Sequence, residues 1–242
     1  GAPLEVGDRP VGTGYLVRVH RASARRPPAY DRNMSRYADA ERQELADLLL
    51  SRGPDAPTVI EDWTTRDLAA HLVIRERRPD AAAGIVLRPL HAYSERVRLA
   101  MAARPYPELV ELVRRPSRWS PLHLPALHEL VNLMEYFVHH EDVRRAEPDW
   151  QPRELTVGQQ AALWRRVPVL ARMSLRRFPA TLLIQAPGHG ELSAGAGGEQ
   201  ARLVGPPGEL IIFLFGRQRV SRAEVSGPPE LADRLRALRP GS

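Results

Sequence analysis

LPALHELVNLMEYFVHHEDVRRA, residues 124–146, is the strongest helical stretch in the chain, with Pro125 near its first turn and no internal glycine. At 3.6 residues per turn, Leu127, Val131, Met134 and Val138 fall on one stripe, and Leu130, Leu133 and Phe137 broaden it, so much of this helix must be buried. Beside it runs a second stripe of His128, Asn132, Glu135, His139 and Asp142. Glu135 and His139 stand at i and i+4, roughly 40° apart around the axis and about one turn along it, which lets both side chains converge on one point.

A carboxylate and an imidazole next to a core stripe each lose several kcal/mol of solvation unless something compensates them. A divalent cation compensates both. A plain Glu–His hydrogen bond or a partly solvated helix edge would serve too, and for an isolated E-x-x-x-H pattern that is the commoner outcome. The balance shifts with His71, inside DWTTRDLAAHLVIRERR (62–78), where Leu68 and Leu72 turn it toward the same interior. Two His and one Glu from two facing helices form the N/N/O set of catalytic zinc, with one position left for water or substrate.

Composition narrows the chemistry further. With 242 residues and 43% hydrophobic content, the chain can build one sizeable domain and a smaller one. The absence of cysteine excludes disulfides, Cys-ligated zinc, iron–sulfur clusters and a cysteine nucleophile; any thiol in the chemistry must come from a small molecule. The longest apolar run, 210–215, is far below the roughly 20 residues of a membrane span, and no apolar secretory segment opens the chain. A cytoplasmic protein without a membrane partner is expected. Its net charge of +6 comes entirely from arginine over acid, since lysine is absent. Residues 1–33 carry six Arg against Glu5, Asp8 and Asp31, half of that excess; the rest is spread thin, with no Arg stripe interleaved with aromatics, so no nucleic-acid partner is expected.

Residues 1–33 read as a disordered or non-native leader, punctuated by Gly and Pro, with Met34 as the expected natural start. A first helix is predicted over 35–52, a second after a Thr64/Asp67 cap, a third over 89–103 and a shorter one over 107–115; with 125–146 they suggest a bundle spanning 34–150. Residues 151–242 read as an extra helix over 156–177, kinked or split by Pro168, then a small α+β domain of strands ATLLIQAP, a weak strand in GHGELSAGAGGEQ, ARLVG and VSRAEVSG, with helices in PPGELIIFLFGR and PPELADRLRAL. The glycine-rich stretch 188–198 lacks the lysine and context of a phosphate loop and is a turn region.

WTTRDLAAHL at 63–72 and EYFVHHEDVRR at 135–145 resemble the DinB-like, mycothiol-dependent maleylpyruvate isomerase superfamily. LVGPPGELIIFLFGR (203–217), a later VSG and a closing helix are similar to the small α+β domain of such proteins, so the resemblance covers about 34–240. It implies a mainly α fold, a DinB-like four-helix bundle followed by a small α+β domain. It also implies a divalent metal, usually zinc, on His71, Glu135 and His139, and a low-molecular-weight thiol such as mycothiol as cofactor. The HHED segment further resembles a metal-binding subgroup without an assigned reaction, so maleylpyruvate isomerisation itself is not implied.

The expected function is that of a metal-dependent isomerase or S-transferase acting on a small molecule through an activated thiolate. The alternative is a non-catalytic metal- or small-molecule-binding protein on the same bundle. Among weaker candidates, His128 and Asn132 are partners of the ligands, alternative ligands or solvent-facing groups. Asp142 either orients His139 or pairs at the surface with Arg145 or Arg114, and Arg217 either meets the anionic part of a substrate or thiol cofactor or is one of many arginines without a role there. His91, His123 and His189 lack spacing partners. Oligomeric state is left open.

Overall fold

Thr64 opens its helix by the expected reciprocal cap: the Thr64 hydroxyl accepts from the Asp67 backbone N–H, and the Asp67 carboxylate accepts from the Thr64 backbone N–H at 3.0 Å. The computed structural model describes residues 18–20, 35–117, 131–176 and 178–238. A three-residue strand β1 (Arg18–His20) precedes α1 (Ser35–Arg52), which Gly53 ends at φ +78°. Then come α2 (Thr65–Arg77), α3 (Pro79–Val86), α4 (His91–Ala102) and α5 (Tyr106–Arg114). Sequence reading left α3 unassigned because it is only two turns long and confined by Pro79 and Pro89. It packs so closely on α4 that a Cβ at Gly84 would collide with the Leu90 carbonyl and Ser94.

The helix expected over 125–146 is observed over its last part as α6 (Leu133–Arg144). Residues 118–130, with His123 and His128, lie outside the described residues, as do 1–17 and 21–34 of the expected leader. The helix expected over 156–177 is divided into α7 (Val157–Trp164) and α8 (Val167–Ser174). Pro168, which has no N–H to give, sits in the first turn of α8, where none is needed.

The chain then forms β2 (Thr181–Ala186), β3 (Gly190–Ala194), β4 (Gln200–Val204), α9 (Pro207–Leu214), β5 (Glu224–Ser226) and α10 (Pro229–Arg236). The sheet order is β1-β3-β2-β4-β5, with β2 and β4 parallel and every other pair antiparallel. Residues 18–20, expected to lack structure, thus supply an edge strand. Leu182, Ile184, Leu192, Ala194, Ala201 and Leu203 alternate inward from β2, β3 and β4, giving the sheet one buried face.

Two cores meet at α6. Leu45, Leu49, Leu68, Leu72, Leu109 and Val113 of α1, α2 and α5 pack on Tyr136 and Val143, while Leu133, Met134, Phe137 and Val138 pack on α7, α8, α9 and the sheet. From Leu133 to Val143 every residue except Glu135 is buried. The polar stripe beside the apolar one is therefore interior as well, and each of its charges needs a partner. The protein is mainly helical with a small sheet, and among the described residues no helix is long and apolar enough to cross a membrane.

Candidate metal centre

Helices α2 and α6 carry the three expected ligands to one place. One donor atom each from His71, Glu135 and His139 lie within 4.8 Å of one another, and His139 Nε2 is 3.2 Å from Glu135 Oε2. Metal–ligand bonds of about 2.0–2.2 Å put ligand atoms roughly 3.3–3.6 Å apart, so side-chain torsions alone can close the set around a cation. The His71 and His139 rings meet edge to face with centroids 5.2 Å apart. On its other side His71 packs against Trp63, also at 5.2 Å, and the Arg98 guanidinium covers the Trp63 ring. The Glu135 side chain is 19% exposed against 5% for His139, and His71 is also part-exposed, so the centre opens to solvent past Glu135 and His71 rather than past His139.

The charge states suit a metal. Burial, followed by the charge of His139, pushes the His71 pKa down to about 3, which leaves its imidazole neutral with a lone pair to give. For Glu135 burial alone would raise the pKa, but Arg75 and the His139 contact outweigh it and keep the carboxyl ionised. Burial also disfavours a charged His139, yet hydrogen bonds to Asp142 and Glu135 raise its pKa overall. At a pH below the ordinary imidazole value, where that raised pKa favours the charged ring, His139 carries a proton in the metal-free centre. Metal uptake must displace it, so zinc binding at pH 6 is expected to release about one proton from the centre, with apparent affinity rising about tenfold per pH unit until the raised pKa of His139 is passed. Calorimetry in buffers of different ionisation enthalpy reads this, and zinc binding without proton release at pH 6 would contradict it.

His139 is oriented from behind. Its Nδ1 is 2.9 Å from Asp142 Oδ2, which leaves Nε2 facing Glu135 and the centre. Asp142 is gripped in turn by Arg217, with Nε donating to Oδ1 at 2.9 Å and Nη2 to Oδ2 at 2.7 Å. Two expectations are corrected here. Asp142 is 1% exposed and serves His139 rather than a surface pair; Arg145 binds Glu141 and Glu209 instead, and Arg114 binds Asp47 and Glu111. Arg217, expected at the anionic part of a ligand, spends its fork on Asp142 and donates its third nitrogen to the Phe215 carbonyl at 2.8 Å, so its present contacts make it a positioning residue.

Asn132 is buried and accepts from Arg75 Nη1 at 2.9 Å. His91 is exposed, and His189 is half-buried in the turn between β2 and β3. Sequence reading missed Arg75 itself, whose signal is its place one turn after His71 on the same face of α2. It also missed His140, whose Nδ1 lies 3.0 Å from Glu41 Oε2. Glu41, Glu44 and His140 form a second group with metal-ligand spacing, but Arg153 already binds Glu41, Glu44 and Glu141 and neutralises it. The chain matches no known family model, no curated protein and no solved structure.

Proposed function

We propose that this chain is a divalent-metal protein of the DinB-like, mycothiol-dependent maleylpyruvate isomerase type, with a four-helix bundle as its N-terminal part. Its ligands are His71, Glu135 and His139, the metal is zinc, and it acts as a thiol-cofactor-dependent isomerase or S-transferase on a small molecule. The observation that carries this reading is the convergence of three donor atoms from α2 and α6 within 4.8 Å. The neutral His71, the ionised Glu135 and the Asp142–Arg217 pair behind His139 support it, since each prepares a donor for a cation.

A divalent cation bound there supplies Lewis acidity and lowers the pKa of a thiol or water toward neutrality. The protein's own residues hold the donors, exclude bulk water on the His139 side and leave the Glu135 side open. Because the chain has no cysteine, the thiol is supplied from outside. Arg42, Arg98, Arg145 and Arg217 are drawn inward into pairs with Glu76, Asp67, Glu141, Glu209 and Asp142 rather than displayed as a basic face, which supports a small-molecule rather than a nucleic-acid partner.

The test is turnover of a soft electrophile by the zinc-loaded chain with and without mycothiol or another low-molecular-weight thiol. Turnover that needs both zinc and the thiol, and that Glu135→Ala removes, is the expected result. Stoichiometric zinc with no turnover under either condition would replace the enzyme reading with that of a metal- or small-molecule-binding protein on the same scaffold.

A further inference from the structure

Arg75 stands one turn beyond His71 on α2, with its side chain only 8% exposed. Its Nη1 donates to Asn132 Oδ1, its Nε lies 3.6 Å from Glu135 Oε2, beyond hydrogen-bond length, and its Nη2 is buried with no acceptor among the described residues. Buried donors are almost always satisfied, and an unfilled N–H on a charged group is disfavoured more than a neutral one. A fold that leaves one beside its candidate metal ligands calls for an explanation.

Charge supplies it. Asp142 and Arg217 neutralise each other through their fork, and Arg75 is paired with Glu135. The oxygen that Arg75 faces is the one that faces His139, so a cation at this centre draws on the same carboxylate that balances Arg75. With Glu135 and Asp142 set against Arg75 and Arg217, the side chains cancel and leave the charge of a bound dication uncompensated. Such a centre favours an anion as its further ligand.

We propose that Arg75 is the anion-recognition residue of this centre: the metal-loaded protein takes a small carboxylate-type oxyanion, whose charge is met by the cation and by the Nη2 N–H of Arg75. The inference rests on the metal reading given above and adds the class of ligand. Entry is from the Glu135 side. Because Arg75 holds Glu135 only loosely, a small turn of the guanidinium brings Nη2 to the incoming oxygen. Arginine suits this task because its remaining nitrogens keep it anchored on Asn132 while one is offered.

The experiment uses the full chain loaded with cobalt(II), whose visible bands report ligands on the metal. Acetate is titrated at constant ionic strength, with acetamide as the neutral isostere, into wild type, Arg75→Met and Arg75→Lys. Acetate is expected to shift the wild-type bands saturably, with acetamide much weaker. Its affinity should fall by about 10- to 100-fold in Arg75→Met, the loss of one charge-assisted hydrogen bond, and partly recover in Arg75→Lys. Cobalt itself should bind Arg75→Met no more weakly than wild type, since a nearby positive charge is gone; a merely structural arginine would weaken it. Should Arg75→Met fail to take up cobalt, Arg75→Lys decides, and acetate affinity unchanged from wild type overturns the proposal. Equal acetate affinity in cobalt-loaded wild type and Arg75→Met overturns the role of Arg75 while the metal assignment stands. Absence of cobalt from wild type overturns both.

Discussion

Glu135→Ala, His139→Ala and His71→Ala are each expected to lose stoichiometric zinc. Binding free energies of roughly 10–16 kcal/mol for fully ligated zinc sites correspond to about 3–4 kcal/mol per protein ligand, so each substitution should weaken zinc several-hundredfold. Competition against a chromophoric chelator measures it, with circular dichroism to verify that the helices persist. The three should fall together because their donor atoms share one centre within 4.8 Å. Asp142→Asn should cost less, roughly 10- to 100-fold, since an amide oxygen still accepts from His139 Nδ1–H but brings no charge to hold the ring or to engage Arg217. Wild-type zinc affinity in His71→Ala would remove α2 from the centre and with it the three-ligand assignment.

Arg145→Met is expected to be the most destabilising single substitution away from the centre, by about 3–5 kcal/mol in urea unfolding. Arg145 is buried where α6 meets α9. Its Nε donates to Glu141 at 2.6 Å, its two terminal nitrogens bind Glu209 at 2.9 and 2.7 Å, one of them also reaches the Val220 carbonyl, and its guanidinium lies on the Trp150 ring. Without it Glu141 keeps Arg153 and Arg144, whereas among the described residues Glu209 keeps only the Arg222 backbone N–H. An almost unpartnered buried carboxylate is the source of the loss, so adding Glu209→Gln should restore part of it; additive losses would show that the pair is not coupled. The pH dependence follows. Burial opposes ionisation of Glu141, but Arg145 and Arg153 outweigh it and hold its pKa below the ordinary carboxylate range. Its stabilisation is complete at neutral pH and is lost as pH falls through that depressed pKa, so acid sensitivity should be shallower in Arg145→Met.

The convergence of His71, Glu135 and His139 was legible because its signals are local. Glu135 and His139 are separated by one turn of a single helix, and His71 lies on an amphipathic stretch whose cap, Thr64 to Asp67, is written in four residues. Asp142 behind His139 was one of the two readings that the helix itself offered, but what grips Asp142 was not legible. Arg217 reaches it across 75 positions of sequence, so no spacing rule connects them. Of the two readings open to the polar stripe of α6, a solvated edge or a compensated interior, the structure has the interior one, with charged partners arriving from α2 and the segment after α9. Most helices were readable from period and caps, even the eight-residue α9 and α10, whereas α3 was not, since PDAAAGIV has no polar residue beyond its first turn to set a period.

An isolated fragment ending at residue 150 would present Leu133, Met134, Phe137 and Val138 to water, because these side chains close the core built by the sheet and α9. Such a fragment would aggregate or bind its missing half rather than behave as a free-standing module. Glu135 and His139 are thereby carried on a helix whose burial depends on both cores.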